Sequence, residues 1–198
     1  MRITADAKQA TRARILEVAG RLFQEKGFDE ATIRDIAAEV GMATGTLFNY
    51  FTSKEDVAVA LAEAAIGQAD VDFAKKRRPR ALLREDLFLQ VATQLRRLRS
   101  LRTFIQPVIE TALAAPMSSA AAGDGRRLPG EHLEAVAEIL HAHRVDPQRW
   151  SMAAPIYWAL YVGVLTFWAR DTSPRQEDTL AMLDQAINMF TTWLESDG

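Results

Sequence analysis

Four small or polar residues in the N-terminal quarter of the chain are suited to contact a nucleic acid. Thr44, Gly45 and Thr46 are small, so a helix that begins with them can approach a duplex closely. The free backbone N–H groups at such a helix N-terminus favour a phosphate. Asn49 can form two hydrogen bonds with the edge of an adenine. These contacts require a short helix that presents its first turn outward.

The flanking sequence predicts two short helices joined by a tight turn. Thr32 and Asp35 have the spacing of an N-cap signature, and Gly41 supplies a residue that ends the helix they open. A second helix is predicted over residues 44–50, with Thr44 as its cap because Ala43 has no capping side chain. This linkage is typical of the helix-turn-helix motif, whose second helix lies in the major groove of DNA.

The residues from Thr32 to Glu55 resemble the DNA-binding signature of TetR-family transcriptional regulators. The blocks Gly45-Thr46-Leu47, Tyr50-Phe51 and Ser53-Lys54-Glu55 fall in the register of that signature. The resemblance implies an all-α fold of about nine helices, with a three-helix DNA-binding head in residues 1–53 and a ligand-binding and dimerisation bundle in residues 54–198. It also implies a transcriptional regulator, most often a ligand-released repressor, that binds a palindromic operator as a homodimer.

The resemblance assigns DNA contacts to residues of the signature. Thr32 and Lys54 are expected to bind phosphates on either side of the groove, and Tyr50 to bind a further phosphate. The full predicted set is Thr32, Arg34, Thr44, Gly45, Thr46, Phe48, Asn49, Tyr50 and Lys54. Phe48 replaces the usual tyrosine, so one hydroxyl contact to a phosphate is missing. On the residues alone, Phe48 and Tyr50 can also be core aromatics, and Arg34 can be a solvated charge.

The composition of the chain limits how it can bind DNA. The 198 residues are 48% apolar and carry a net charge of −2. Residues 1–55 carry eight basic and eight acidic side chains, whereas residues 75–102 carry ten basic side chains against two acidic ones. DNA affinity must therefore come from a few placed cations rather than from a basic domain.

Several other classes of protein are disfavoured by the residues present. The lack of cysteine excludes a disulfide scaffold, a cysteine nucleophile and a cysteine-ligated zinc site. The sequence shows no nucleophile–base pair, phosphate-binding glycine loop or paired catalytic acid, so we predict neither an enzyme nor a cofactor or metal site. The first eight residues lack the apolar core of a secretory signal, and a cytoplasmic protein is expected.

Apolar residues at helical spacing continue through the rest of the chain. Pro107 lies inside one such pattern and is predicted to kink it. Ser173-Pro174 with Gln176 has the pattern of a capping box at the start of the last helix. Residues 117–129 are predicted to form a loop. The predicted helices cover residues 8–26, 32–41, 44–50, 53–78, 80–99, 101–113, 130–143 and 147–170, and the last begins near 174.

Residues 150–169 carry no formal charge and are long enough to be a membrane-span candidate. Ser151 and Pro155 within this segment favour a helix buried in protein instead. Its two apolar faces need separate partners, and the last helix supplies one through the 3-4-3-4 spacing of its apolar residues from Leu180 to Leu194. The resemblance implies that a second copy supplies the other partner, through the last two helices of each chain.

The middle helices are expected to enclose a pocket for an unknown small-molecule effector. The resemblance implies that such a ligand shifts the fourth helix and with it the DNA-binding head. The candidate lining residues are Phe88, Phe104, Ile105, Ile109, Leu113, Tyr157, Trp158 and Tyr161. Each of them can also be plain core. Two further hypotheses stay open, namely a ligand-binding helical protein with a degenerate DNA-binding head and a membrane-associated helical protein.

Overall fold

The computed structural model describes the backbone of residues 5–114 and 127–196, and the side chains of residues 5–110 and 130–196. Within these ranges the chain forms helices and no strand, which confirms the predicted all-α fold. The α-helices are α1 (Ala5–Lys26), α2 (Ile33–Val40), α3 (Thr44–Leu47), α4 (Lys54–Lys76), α5 (Leu83–Leu98), α6 (Ile105–Ala114), α7 (Arg127–Ala142), α8 (Pro147–Arg170) and α9 (Glu177–Glu195).

The N-terminal head consists of α1, α2 and α3, and its turn follows the predicted chemistry. Thr32 caps α2 by accepting from the backbone N–H of Asp35, whose side chain accepts in return from the N–H of Thr32. Gly41 ends α2 with φ of 81°, a left-handed conformation that glycine adopts without strain. The prediction that Thr44 caps α3 is wrong: α3 begins at Thr44, and Ala43 stands at the N-cap without a side-chain bond.

The predicted kink at Pro107 is also wrong, because the helix boundaries differ from those expected. A 3-10 helix over Arg99–Phe104 separates α5 from α6, and α6 begins at Ile105. Pro107 therefore lies in the first turn of α6, where a backbone N–H has no partner within the helix and its loss costs nothing. Of the loop predicted at residues 117–129, residues 117–126 lie outside the described part of the chain, and the last three form the start of α7.

The two C-terminal helices begin by different means. Asp146 caps α8 by accepting from the N–H of Gln148, with Pro147 in the first turn as predicted. The predicted capping box at Gln176 is wrong, because Gln176 has φ of 62° and lies in a 3-10 turn before α9. Asp171 instead accepts from the N–H of Ser173 (2.7 Å) and from the N–H and hydroxyl of Thr179 (3.0 and 2.5 Å).

Three phenylalanines join the head to the helical bundle behind it. Phe23 of α1 contacts Phe28 and Phe104, with ring centroids 5.0 and 5.2 Å apart. Phe28 stacks on Phe104 at 6.2 Å. The buried apolar residues of the head and the bundle consequently form one continuous core. Phe104, predicted to line the effector pocket, lies at this junction.

The long apolar helix α8 is a structural helix of the bundle. Its length and composition alone would suit a membrane crossing. In the fold it packs against α6, α7 and α9, and side chains such as Tyr157, Val164 and Trp168 are buried. Its apolar character is therefore accounted for by the core on one side, whereas Met152, Ile156 and Phe167 remain exposed.

Candidate nucleic-acid interface and internal cavity

The first turn of α3 is presented to solvent by a small buried anchor. Leu47 and Phe51 are buried in the head core and fix the orientation of α3. Opposite this anchor, the exposed residues of the predicted set are Gly45, Thr46, Phe48 and Asn49. The Phe48 side chain is 50% exposed, so the alternative that it is a core aromatic is wrong. Thr44 and Tyr50 are half-buried, and Tyr50 packs against the core at the edge of this surface.

The α2 residues of the predicted set differ in how their side chains are used. The Thr32 hydroxyl is engaged with Asp35 at 2.8 Å, and these bonds lower the pKa of the Asp35 carboxyl. Arg34 is exposed and forms no ion pair with any residue in the described ranges. Arg34 can therefore bind a partner without breaking an ion pair within the described chain. Thr32 can offer a phosphate only the hydrogen-bonding capacity that its bonds to Asp35 do not use.

Lys54 has a structural role that the sequence pattern did not reveal. Its Nζ donates to the backbone carbonyl oxygens of Phe28 (2.6 Å) and Asp29 (3.3 Å), and it lies 4.3 Å from the centroid of the Phe28 ring. An ammonium group has three donors, so one N–H remains for a phosphate. The first residue of α4 thereby ties that helix to the segment between α1 and α2.

We expect Lys54→Met to lower the free energy of unfolding by about 1–3 kcal/mol, because it removes hydrogen bonds from a charged donor. Lys26→Met is the matched control: among the described residues Lys26 forms an exposed ion pair with Asp35 at 3.6 Å, and its loss should cost less than about 1 kcal/mol. Urea unfolding followed by circular dichroism measures both. Equal stability of the Lys54 variant and the parent would contradict the structural role.

An apolar cavity lies between α4, α5, α6 and α8. Its volume is about 20 Å³, room for roughly one water molecule. Of the residues predicted to line a pocket, the cavity brings together Ile105, Ile109, Trp158 and Tyr161. Phe88 instead lies in a surface groove with Arg78 and Arg84. Tyr157 packs beside the cavity against Trp150 and Phe190, and the Leu113 side chain lies outside the described residues.

A buried polar cluster adjoins this cavity, and it is absent from the set of site residues predicted from the sequence. Gln90 and Gln94 of α5, with His132 of α7, are each at most 1% exposed. The available signal was that the two glutamines stand on the helix face that carries Leu87 and Val91, where a packed core normally has apolar side chains.

The buried histidine makes the stability of the fold depend on pH. Burial lowers the pKa of His132 to about 3, whereas in the unfolded chain a histidine has a pKa near 6.5. The unfolded state therefore takes up a proton that the folded state refuses, so stability is lost as the pH falls below about 6.5. Between pH 7 and pH 5 we expect the free energy of unfolding to fall by about 2 kcal/mol from this group.

Urea unfolding at pH 7 and pH 5 isolates this contribution when the parent is compared with His132→Gln, which should lack it. His141→Gln, a change at an exposed histidine, is the matched control and should keep the loss of stability that we attribute to His132. An unchanged pH dependence in His132→Gln would show that the pKa of His132 is the same in the folded and unfolded states, which would contradict its burial as a neutral ring.

Comparison with known proteins agrees with this architecture. Residues 15–61 match the family described as bacterial regulatory proteins, tetR family. The chain is 38% identical over 61 residues to the HTH-type transcriptional repressor Rv1474c of Mycobacterium tuberculosis, covering 31% of this chain and 33% of that protein. It is 43% identical over 61 residues to the repressor AcnR of Corynebacterium diphtheriae, covering 30% and 32%. The matches thus span about a third of these relatives.

Solved structures extend the likeness to the whole fold. The TetR-family repressor FadR of Thermus thermophilus, in complex with lauroyl-CoA, superposes with a TM-score of 0.74 at 21% identity, covering 94% of this chain and 96% of that one. A TetR transcriptional regulator from Rhodococcus sp. RHA1 gives 0.69 at 20% identity, covering 95% and 98%. The head is thus matched in sequence to the tetR family of bacterial regulatory proteins, and the fold of the described chain is that of solved TetR-family regulators.

Proposed function

We propose that this chain is a transcriptional repressor that binds a specific DNA operator and is released from it by a small molecule. The observation that carries the proposal is the surface of α3. Gly45, Thr46 and Asn49 are exposed on a short helix whose position is fixed by the buried Leu47. The side chains of Thr46 and Asn49 form no hydrogen bond with another residue of the described chain, so their hydrogen-bonding capacity is available to a partner.

The residues of this surface divide into those that position the head and those that read bases. Asn49 is suited to adenine, and the exposed Phe48 ring is suited to contact the methyl group of a thymine. Arg34 and Tyr50 flank α3 and can bind phosphates, with the remaining N–H of Lys54 as a further donor. Few cations take part, which agrees with the balanced charge of residues 1–55.

A homodimer that binds a palindromic operator is the assembly we propose. Apolar side chains remain exposed along one stripe of α8, at Met152, Ile156 and Phe167, and along one stripe of α9. Phe167 and Met182 line one shallow groove, which places the two stripes side by side. Exposed apolar stripes of this kind mark contact surfaces between proteins, and a twofold dimer would present two α3 helices to two half-sites.

We divide the chain functionally between residues 53 and 54. Residues 1–53 bind DNA, and residues 54–198 bind the effector and form the dimer. The relatives Rv1474c and AcnR are named as repressors, and the FadR structure holds lauroyl-CoA. These names favour repression and a small-molecule effector, and they favour regulation rather than catalysis. A protein that acts on the bacterial chromosome works in the cytoplasm.

A gel shift at low salt, with DNA fragments that flank the gene for this chain, tests the proposal. We expect the parent to retard at least one fragment, and Asn49→Ala to bind it more weakly while keeping the parent's circular dichroism spectrum. Failure of the parent to shift any fragment, together with no difference for Asn49→Ala, would reject the proposed function.

A further inference from the structure

Five buried polar atoms next to the internal cavity have no hydrogen-bond partner among the described residues. They are Gln90 Oε1, Gln94 Oε1, His132 Nε2, Tyr157 OH and Tyr161 OH. Each of these residues is at most 3% exposed. Proteins satisfy nearly all buried polar groups, and an unsatisfied one lowers stability. Five such atoms in neighbouring side chains point to a site that binds something.

The hydrogen bonds that the cluster does make determine which atoms stay open. Asp70 of α4 accepts from Gln90 Nε2 at 2.6 Å. Gln94 Nε2 lies 3.1 Å from His132 Nδ1, which accepts because an amide nitrogen can only donate. The proton of the neutral His132 ring therefore lies on Nε2. The cluster thus presents two open acceptors on the glutamines and one open donor on His132.

The tyrosines connect this cluster to the apolar cavity. The His132 ring stacks on Tyr161 with centroids 4.0 Å apart and on Tyr157 at 5.7 Å. Tyr161 also lines the cavity together with Trp158, and the remaining wall is aliphatic. The cluster can therefore bind the polar end of a ligand, while the adjoining cavity binds the apolar body of the same ligand.

We propose that the cluster of Gln90, Gln94, His132, Tyr157 and Tyr161 binds the uncharged polar end of the effector, an amide or hydroxyl group, and that the adjoining cavity opens to take its hydrocarbon body. This inference rests on the proposed function, because it names the chemical class of the releasing ligand. The amide is the better match, since its carbonyl can accept from His132 or a tyrosine while its N–H groups donate to the glutamines.

The charges around the cluster disfavour an ionised ligand. Asp70 is hydrogen-bonded to the cluster, the exposed Glu138 adds a second negative charge near Asp70, and no lysine or arginine in the described ranges bonds to the cluster. A carboxylate would therefore face negative charge and leave the two glutamine oxygens without donors. An ammonium group would offer only donors and leave the His132 N–H without an acceptor.

The same hydrogen bonds connect the site to the DNA-binding head. Gln90 donates to Asp70, and Asp70 lies on α4, which begins directly after the head. A ligand that bonds the glutamine amides changes what holds Asp70 in place. It can then favour one position of α4 over another, which is the unequal binding that release from DNA requires.

Thermal unfolding of the full-length protein without DNA tests the proposal with four six-carbon probes. These are hexanamide, hexan-1-ol, hexanoate and hexylammonium at matched millimolar concentrations. We expect hexanamide to raise Tm by about 3–6 °C at roughly ten times its Kd, with a smaller rise for hexan-1-ol. Hexanoate and hexylammonium should leave Tm unchanged.

Variants distinguish a binding site from a merely structural cluster. Without a probe, Tyr161→Phe and Tyr157→Phe should unfold at the parent Tm or above, because each removes a hydroxyl that has no hydrogen-bond partner among the described residues. With hexanamide, each should lose at least half of the rise in Tm. Gln68→Met on the exposed face of α4 is the control and should keep the full rise.

Three results would overturn the proposal: no rise with hexanamide, an equal rise with either charged probe, or a full rise in both tyrosine variants. Each would mean that the cluster is a structural polar core. Because DNA is not part of this measurement, a parent that shifts its operator but ignores hexanamide would reject this inference and leave the proposed function standing.

Discussion

Phe167→Glu combined with Met189→Glu should convert a dimer of twice 22.0 kDa into a monomer of 22.0 kDa. Phe167 is 43% exposed on α8 and Met189 is 62% exposed on α9, on the stripes that we assign to the dimer interface. Charges placed on both stripes would be buried against their own copies and would repel. The monomer should bind a full operator at least 100-fold more weakly, because the two DNA-binding heads are no longer held together in one dimer.

Light scattering after size exclusion gives the mass, and fluorescence anisotropy with a labelled operator gives the affinity. Val71→Glu with Leu82→Glu is the matched control, because these side chains are 47% and 55% exposed outside the two stripes. That control should stay dimeric and bind as the parent does. A dimeric Phe167–Met189 variant with full affinity would place the interface elsewhere.

Gly45→Ala is expected to weaken DNA binding without weakening the fold. A Cβ built at Gly45 meets no atom of the protein within 4 Å. The variant should therefore fold at least as stably as the parent, because alanine favours helix by about 0.5–1 kcal/mol. If α3 lies against the duplex, the same methyl group intrudes on DNA, and affinity should fall by about tenfold or more for each head.

Gly67→Ala provides the control for this change. Gly67 lies within α4, and its Cβ position is equally open. This variant should gain similar stability and keep the parent's operator affinity in the anisotropy assay. Parental affinity in Gly45→Ala would contradict close approach of α3 to the DNA.

Local capping and turn signals allowed the head to be predicted well from the sequence. The cap formed by Thr32 and Asp35 and the left-handed Gly41 depend on residues within a few positions of each other, so their spacing alone was sufficient. The short helix α3 was placed correctly at its start but extended too far. The contribution of Lys54 was missed, because its partners are carbonyl oxygens 25 and 26 residues away in the chain.

Predictions for the bundle were wrong where a side chain contacts a residue that is distant in the sequence instead of the neighbour that the local pattern suggests. The start of α9 is held by Asp171 through Thr179, so the local pattern around Gln176 was misleading. Phe104 has the spacing of a pocket residue, yet it packs against Phe23 and Phe28 of the head. Helical periodicity identifies which face of a helix is buried, but it does not say against which other helix that face packs.

The polar cluster could not be predicted for a related reason. The cluster combines Gln90 and Gln94 of α5 with His132 of α7. Its hydrogen bonds also involve Asp70, which lies on a third helix, α4. In the sequence alone, these residues are polar positions within apolar helical patterns. Such polar positions are common on helix faces that are exposed to solvent. Only the packing of α4, α5, α7 and α8 shows that they are buried together.

Selection from a library of random DNA duplexes is the most direct test that the chain reads a specific operator as a dimer. The parent should enrich an inverted repeat whose half-sites lie about one helical turn, or a multiple of it, apart. Asn49→Ala should lose preference within each half-site while the spacing is kept. Enrichment of no motif, or of the same motif by Asn49→Ala with equal strength, would contradict the assignment of α3 as the element that reads DNA.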